Sequence, residues 1–344
     1  CKDSGSSSML ISEAFNSINK SIVYVVDTDY EVSIAKRNIR FFLPKVKCIE
    51  IPSLGRAPLE NISPNLQSTS KRVCGLYELA SSIKNNKNFI LIISVDALLQ
   101  KIPNRENILN NNIKCKINNT LNINTFSKKI TEFGYKRTEI VFDRGDYALR
   151  GGLVDLYTPN YKFPIRIDMS GDTVDSIKFF NIENQKTKKS VETVKILPVS
   201  EVVLTKKNIE IFKKKTNLIV DEFLAEADEG NIRENYISLF YNNISTVFDL
   251  FLRDNLIIFD YLVDEKIVSK IEFISTNFPS FIKRNKLKKT LLNPNDVYVD
   301  LSELNKNLSR FPTWTFTPIA EISNSKLINL DVTSNIKFNK NFTL

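Results

Sequence analysis

The chain of 344 residues contains no histidine, and this absence excludes several kinds of site. Serine and cysteine nucleophiles that need a histidine base cannot form, nor can zinc sites with an imidazole ligand. Four cysteines are present, but none has the CxxC spacing of a zinc cluster or a thioredoxin-like motif. They are Cys1, Cys48, Cys74 and Cys115. Scattered cysteines are typical of a reducing compartment, so we expect a cytoplasmic protein without a metal site.

Long apolar runs and glycine-rich loops are also missing. No run approaches the ~20 apolar residues of a membrane-spanning helix, so we expect no membrane partner. The N-terminal segment CKDSGSSSMLISE has one glycine, Gly5, and no lysine placed to hold outer phosphates. Since a P-loop needs both features, we expect no nucleotide cofactor and no catalytic activity. A lipid-anchored surface protein beginning at Cys1 is an alternative, although an excised piece of a longer chain fits this start better.

The charge balance permits two interpretations. Hydrophobic residues make up 42% of the chain and charged residues 25%, so a core can form. The net charge is +9, which would suit contact with nucleic acid or with an acidic partner. Solvated basic faces in a Lys- and Asn-rich composition explain the same charge equally well.

Residues 1–112 alternate between helical and strand patterns. Apolar runs at 21–27 and 88–95 are typical of strands that are buried on both faces of a parallel sheet, and 46–52 is also predicted to be a strand. Helical spacing separates these runs, most clearly at 68–83. This alternation favours a parallel α/β fold.

Residues 113–200 have a different pattern, which predicts one helix and several short alternating strands, including one at 138–142. Residues 201–344 return to helical spacing, with a helix predicted at 246–254 and a buried strand at 255–261. We therefore expect an α/β domain that is interrupted by a small β-rich (α+β) domain. The third segment is expected to rejoin the sheet of the first.

Two arginines stand out in the β-rich segment. In the run FPIRIDMS, strict alternation places Arg166, Asp168 and Ser170 on one strand face and apolar residues on the other. Arg150 directly precedes a pair of glycines that begins at Gly151, and paired glycines mark a bulge, a bend or a close backbone approach. If the strands are neighbours, the two arginines share an exposed face suited to carboxylate recognition. Ordinary surface arginines are the alternative.

The same stretch resembles the second domain of the UvrB-like, N-terminal module of the transcription-repair coupling factor (Mfd) family. That family has an arginine before a glycine, a Pro-x-Arg strand, a Gly-Asp turn and a closing glutamine. The residues that carry the resemblance are Gly145, Arg150, Gly151, Asp155, Pro164, Arg166, Asp168, Gly171, Asp172, Asp175, Ser176, Ile177 and Gln185. Weaker similarity, as in ENYISLFYNNISTVFDLFL, extends over nearly the whole chain. The resemblance implies a degenerate, nucleotide-free helicase-like domain around a β-rich domain.

The resemblance also implies a partner and a site. In that family the second domain docks UvrA, the damage-recognition ATPase, and so couples stalled transcription to nucleotide excision repair. Its contact positions correspond to Arg150, Arg166 and Ser170, next to Gly151 and Asp168. Ser170 departs from the family, which has an aromatic residue there. Charge reversal at either arginine is expected to abolish UvrA binding with the fold intact.

In the full-length family, the parts that use ATP and magnesium, bind RNA polymerase and move along DNA lie beyond the end of this chain. We therefore expect the chain to supply the docking surface alone, as a monomer. A UvrB-like, DNA-binding subunit of excision repair is the alternative. UvrB, however, has an intact P-loop and a Tyr-rich hairpin, whereas no tyrosine lies between Ser53 and Arg72.

Overall fold

The structure, a computed structural model, describes residues 4–55, 66–221, 223, 233–284 and 292–317. The N-terminal cysteine, on which the lipid-anchor alternative depends, lies outside these residues. So does most of the segment where UvrB would carry its hairpin.

Helices and strands alternate along the described residues. The α-helices are α1 (Ser4–Ile18), α2 (Asp29–Phe42), α3 (Leu66–Lys84), α4 (Val95–Leu99), α5 (Arg105–Asn110), α6 (Ile123–Glu132), α7 (Lys206–Thr216), α8 (Ile237–Phe240), α9 (Val263–Arg284) and α10 (Leu301–Leu308). The strands are β1 (Ile22–Val26), β2 (Cys48–Ile51), β3 (Ile90–Ser94), β4 (Ile102–Pro103), β5 (Ile113–Lys116), β6 (Lys136–Arg137), β7 (Asp146–Arg150), β8 (Leu153–Leu156), β9 (Ile165–Ser170), β10 (Thr173–Phe180), β11 (Thr187–Ser190), β12 (Thr193–Ile196), β13 (Ile244–Ser245), β14 (Leu256–Phe259) and β15 (Thr313–Thr315). In the described part of the chain, no helix combines the length and the apolar character of a membrane span.

A parallel sheet of five strands, in the order β15-β14-β1-β3-β2, forms the larger unit. Its central strand β1 is buried along its whole length, as its continuous apolar run predicts. Val23 and Val25 face one side with residues of α3 and α9, whereas Ile22 and Tyr24 face the other with residues of α1 and α2. Because β14 pairs with β1, the third segment of the chain rejoins the first sheet, and the α/β prediction is confirmed.

A second sheet, of six strands in the order β11-β10-β9-β8-β7-β6, forms the β-rich unit. Its pairings are antiparallel except for that of β6 with β7. Helix α6 contributes Phe126 and Ile130 to a core with Val154, Ile167 and Ile177 from three neighbouring strands. The opposite face of these strands carries Asp155, Arg166 and Asp168.

The strand that was expected at 138–142 does not form. The Asp146 carboxylate accepts hydrogen bonds from the backbone nitrogens of Phe142, at 3.1 Å, and Asp143, at 2.9 Å. This bends the chain, and it leaves Ile140 and Phe142 exposed rather than on a buried strand face. A loop results.

The helix that was expected at 246–254 is also shorter than its pattern suggests. Only Val247–Leu250 is helical, and it is a 3₁₀ turn. A capping box between Thr246 and Asp249 starts it, and Phe251 has an extended backbone that ends it. The apolar residues of this segment, Val247, Phe248, Leu250 and Phe251, are buried in the core of the parallel sheet although they do not form a regular helix.

Helix α3 joins the two units. Arg72 on this helix donates from Nε to the Glu201 carboxylate at 2.5 Å and from Nη1 to the Pro52 carbonyl at 3.1 Å. Both charged side chains are almost completely buried. One turn of helix further on, the Tyr77 hydroxyl contacts the Lys195 ammonium at 2.5 Å. These contacts fix the β-rich unit against the parallel sheet.

Candidate partner-binding site

Two tight hairpin turns lie at the same end of the six-stranded sheet, because each strand reverses the direction of the one before. The first turn has Gly151 and Gly152 between β7 and β8, and the second has Gly171 and Asp172 between β9 and β10. Gly151 has a φ of 59° and Gly171 a φ of 60°, while the residue after each has no positive φ. This is the pattern of a type II′ turn, which requires glycine at its first position.

Gly152, the second glycine of the pair, is required because the neighbouring backbone leaves no room for a side chain. A Cβ on Gly152 would lie 2.5 Å from the carbonyl oxygen of Met169, on the neighbouring strand. The Met169 nitrogen donates to the Gly152 carbonyl at 2.8 Å, so the two backbones are held together there. The glycine pair therefore marks both a bend and a close backbone approach.

Arg166 forms a two-pronged ion pair with Asp155, which lies directly across from it on β8. Its Nε donates to Oδ1 at 2.7 Å and its Nη2 to Oδ2 at 2.8 Å, and these hydrogen bonds raise the pKa of Arg166. Gln185 accepts a further hydrogen bond at 3.1 Å, and the guanidinium lies 4.6 Å from the ring centre of Phe180. The Arg166 side chain is only 19% exposed, so most of its binding capacity is used within the chain.

Arg150 approaches the same carboxylate but is far more accessible. Its Nη2 lies 3.8 Å from Oδ2 of Asp155, whose side chain is 2% exposed, while Arg150 itself is 50% exposed. Because both Asp155 oxygens already accept hydrogen bonds from Arg166, Arg150 keeps donors for a partner. The two predicted arginines are thus brought together, and of these two Arg150 is the one that faces outward.

Asp168 is occupied by its own neighbours on β10. Its Oδ2 accepts hydrogen bonds from the Lys178 ammonium at 2.8 Å and the Ser176 hydroxyl at 2.5 Å. The bond from Lys178, followed by that from Ser176, lowers the pKa of Asp168. The carboxylate is therefore a fixed negative charge beside the arginines.

Ser170 is exposed at the end of β9, where the hairpin turn begins. Arg150 and Gly151 occupy the corresponding end of β7 and its turn, whereas Arg166 lies near the other end of β9. Sequence reasoning did not single out Asp155 or Gln185 as site residues, although both hold Arg166 in place. A charged residue in the otherwise apolar strand LVDL was the available signal for Asp155.

The carboxyl edge of the parallel sheet is the second place where a ligand could bind, since open α/β sheets bind ligands there. The Asp29 carboxylate occupies this edge and joins three strands. It accepts from the Ser53 nitrogen at 2.9 Å, the Ser53 hydroxyl at 2.7 Å and the Ser94 hydroxyl at 2.6 Å. The N-terminus of α2 is closed by a capping box between Thr28 and Glu31.

Two lysines of α9 complete this edge. Lys270 lies 3.0 Å from Asp96, and Lys266 lies 3.9 Å from Asp27. Burial raises the pKa of Asp96, while the hydrogen bond from Lys270 opposes that shift. Three acidic side chains, two of them paired with lysines, thus lie at this edge of the sheet. Among the described residues, no cluster of three or more acidic or sulfur side chains is arranged to hold a metal ion.

Comparison with known proteins supports the resemblance found in the sequence. Residues 113–202 match the family model of the UvrB interaction domain. This range covers the six-stranded sheet and its helix α6. The chain is also similar, over most of its length, to several transcription-repair-coupling factors.

The similarity to these relatives is moderate but long. The factor of Haemophilus influenzae is 24% identical over 337 residues, which are 95% of this chain and 29% of the relative. That of Rickettsia bellii is 31% identical over 279 residues, 78% of this chain and 24% of the relative. That of Escherichia coli is 27% identical over 175 residues, 51% of this chain and 15% of the relative. The chain therefore spans less than a third of the length of each relative, and the matched part is N-terminal.

Proposed function

We propose that this chain, a relative of the N-terminal part of the transcription-repair-coupling factors with a UvrB interaction domain at its centre, is a docking module that recruits UvrA. The observation that carries the proposal is the half-exposed guanidinium of Arg150 at a rigid hairpin tip. It lies beside a buried carboxylate whose two oxygens each accept a hydrogen bond from Arg166. Such a group is ordered in advance for a carboxylate of a partner.

The two arginines have different roles in this proposal. Arg150 contacts UvrA, and Arg166 positions it by holding Asp155 and the strand pair. Ser170 provides a small polar surface where the resembled family has an aromatic anchor. The energy of docking therefore comes mainly from charge-assisted hydrogen bonds, and it falls as the salt concentration rises.

The test is a calorimetric titration of UvrA with the chain and with Arg150→Glu. We expect the substitution to weaken binding by roughly 30-fold or more, the effect of losing a central interface arginine. The matched control is Arg137→Glu, which reverses an exposed arginine on the edge strand β6 of the same unit. Equal affinities of the parent chain and Arg150→Glu would refute this docking role.

We also propose that this module binds no nucleotide and catalyses no reaction. In the longer protein, ATP and magnesium would serve motor domains outside the chain, and RNA polymerase and DNA would be contacted through those parts. The setting is the cytoplasm, and the module acts as a monomer. Support comes from the segment CKDSGSSSMLISE, which has one glycine and no lysine placed to hold outer phosphates.

Equilibrium binding of a fluorescent ATP analogue, with magnesium, tests the second proposal. We expect no saturable binding up to millimolar concentrations, while UvrA binding by the same preparation shows that the chain is folded. A dissociation constant in the micromolar range would contradict the proposal. The two proposals fail separately, because UvrA binding and ATP binding are measured independently.

A further inference from the structure

The C-terminal half of α2 and the turn after it carry charge of a single sign. Residues 36–47, KRNIRFFLPKVK, contain five cations and no acidic residue. Two of the cations are paired, since Lys36 lies 3.2 Å from Glu50 and Lys47 lies 3.9 Å from Glu78. The other three are Arg37, Arg40 and Lys45. In the part of the chain that the structure describes, no carboxylate lies within 4.0 Å of their charged nitrogens.

Two phenylalanines project from the same place. The Phe41 side chain is 81% exposed and that of Phe42 is 40% exposed, and their rings meet edge to face at 5.3 Å. The opposite side of α2 is buried through Val32, Ala35 and Ile39. The sheet core is thus complete without the two rings. Large exposed aromatic residues beside unpaired cations mark a binding surface rather than a folding requirement.

Helical spacing brings these groups together. Arg40 and Phe41 follow Arg37 by three and four residues, so the three residues lie on the same side of α2. The rings stand out from the end of α2, whereas an amphipathic peptide helix binds in an apolar groove. An outward ring flanked by cations instead suits an unpaired base stacked on the ring with its phosphates on the arginines.

We propose that this surface, formed by Arg37, Arg40, Phe41, Phe42 and Lys45, binds single-stranded nucleic acid. It lies on the parallel sheet unit, whereas the UvrA-docking residues lie on the six-stranded sheet. The activity is therefore independent of the docking function proposed above. Phosphates contact the three cations, and one or two bases stack on the phenylalanines.

The experiment measures the fluorescence anisotropy of a labelled 20-nucleotide thymidine oligonucleotide against the complete chain, from 20 to 200 mM salt. Phe41→Ala is expected to weaken binding at least about fivefold at every salt concentration, because one stacked base is lost. Arg37→Ala/Arg40→Ala is expected to weaken binding and to reduce the salt slope by about 1.4, the value for two phosphates on a single strand. Duplex DNA of equal length is expected to bind more weakly than the single strand.

Matched controls on the other unit are Phe142→Ala, which removes a phenylalanine that is 57% exposed, and Lys188→Ala/Lys189→Ala on the exposed strand β11. Both are expected to bind the oligonucleotide like the parent chain. Unchanged affinity of Phe41→Ala, or equal losses in the controls, would overturn the proposal and leave only nonspecific attraction to a basic protein. Stronger binding of a labelled acidic peptide than of the oligonucleotide would also overturn it, since the surface would then be a protein interface.

Discussion

Arg166 is expected to stabilise the fold much more than its position on a polar strand face suggests. Arg166→Met would keep much of the side-chain volume and remove the guanidinium, which leaves the Asp155 carboxylate, 2% exposed, with only Arg150 at 3.8 Å. Loss of one partner of a buried pair costs about 3–5 kcal/mol. The remaining contact of Asp155 with the half-exposed Arg150 offsets less than ~1 kcal/mol of this cost. We therefore expect Arg166→Met to lower the free energy of unfolding by about 3 kcal/mol. The same reasoning limits the cost of Arg150→Ala to under ~1 kcal/mol.

Thermal unfolding followed by circular dichroism distinguishes these costs. At the usual 2–4 °C per kcal/mol, Arg166→Met lowers the melting temperature by about 6–12 °C, whereas Arg150→Ala lowers it by less than ~4 °C. This revises the expectation that charge reversal at Arg166 leaves the fold intact. A restoring double variant, Arg166→Met/Asp155→Leu, controls for volume and melts above the single variant. If Arg166→Met melts with the parent chain, the buried-pair reasoning is wrong.

Two further predictions follow from other ion pairs. The lowered pKa of Asp168 means that its carboxylate stabilises the folded chain above the ordinary aspartate pKa near 3.9, and that this contribution is lost as the pH falls through the lower, folded value. Asp168→Asn is therefore expected to lower the free energy of unfolding at pH 7 by less than ~1 kcal/mol. A difference in unfolding free energy that stays unchanged at pH 2 would contradict this. Arg72→Met alone is expected to cost about 3–5 kcal/mol, and Arg72→Met/Glu201→Leu less than either single change. Urea unfolding of the four proteins checks this, and strictly additive costs would refute the coupling of the pair.

The parallel sheet was the part of the fold that the sequence predicted best. Its strands β1, β3 and β14 are continuous apolar runs, and burial on both faces needs no particular period. Strand β2 alternates in burial and β15 is exposed. Short elements were predicted less well. Phe142 lies in an apolar-looking run, yet the Asp146 carboxylate four residues later takes its backbone nitrogen and prevents a strand. Such a contact depends on a loop conformation that periodicity does not encode.

The candidate site shows the same limit. Alternation correctly places Arg166 on the polar face of β9, but it does not show that Asp155 lies directly opposite on β8. That pairing depends on the register of β8 against β9, which are joined by the longer connection 157–164 rather than by a tight two-residue turn. Sequence reasoning therefore treated both arginines as equals. The structure separates Arg150, which faces outward, from Arg166, which is held inside a buried pair.

The pairing of β14 with β1 has a consequence for the synthesis of the chain. Ile22 lies beside Leu256, so the central strand lacks one neighbour until the ribosome has added more than two hundred further residues. At 5–20 residues per second this takes about 12–47 s. Strands β7 to β11 of the intervening sheet pair as consecutive antiparallel neighbours and can fold within that time. The apolar edge of β1 remains open meanwhile, and slow elongation would increase the risk that two nascent chains join through it.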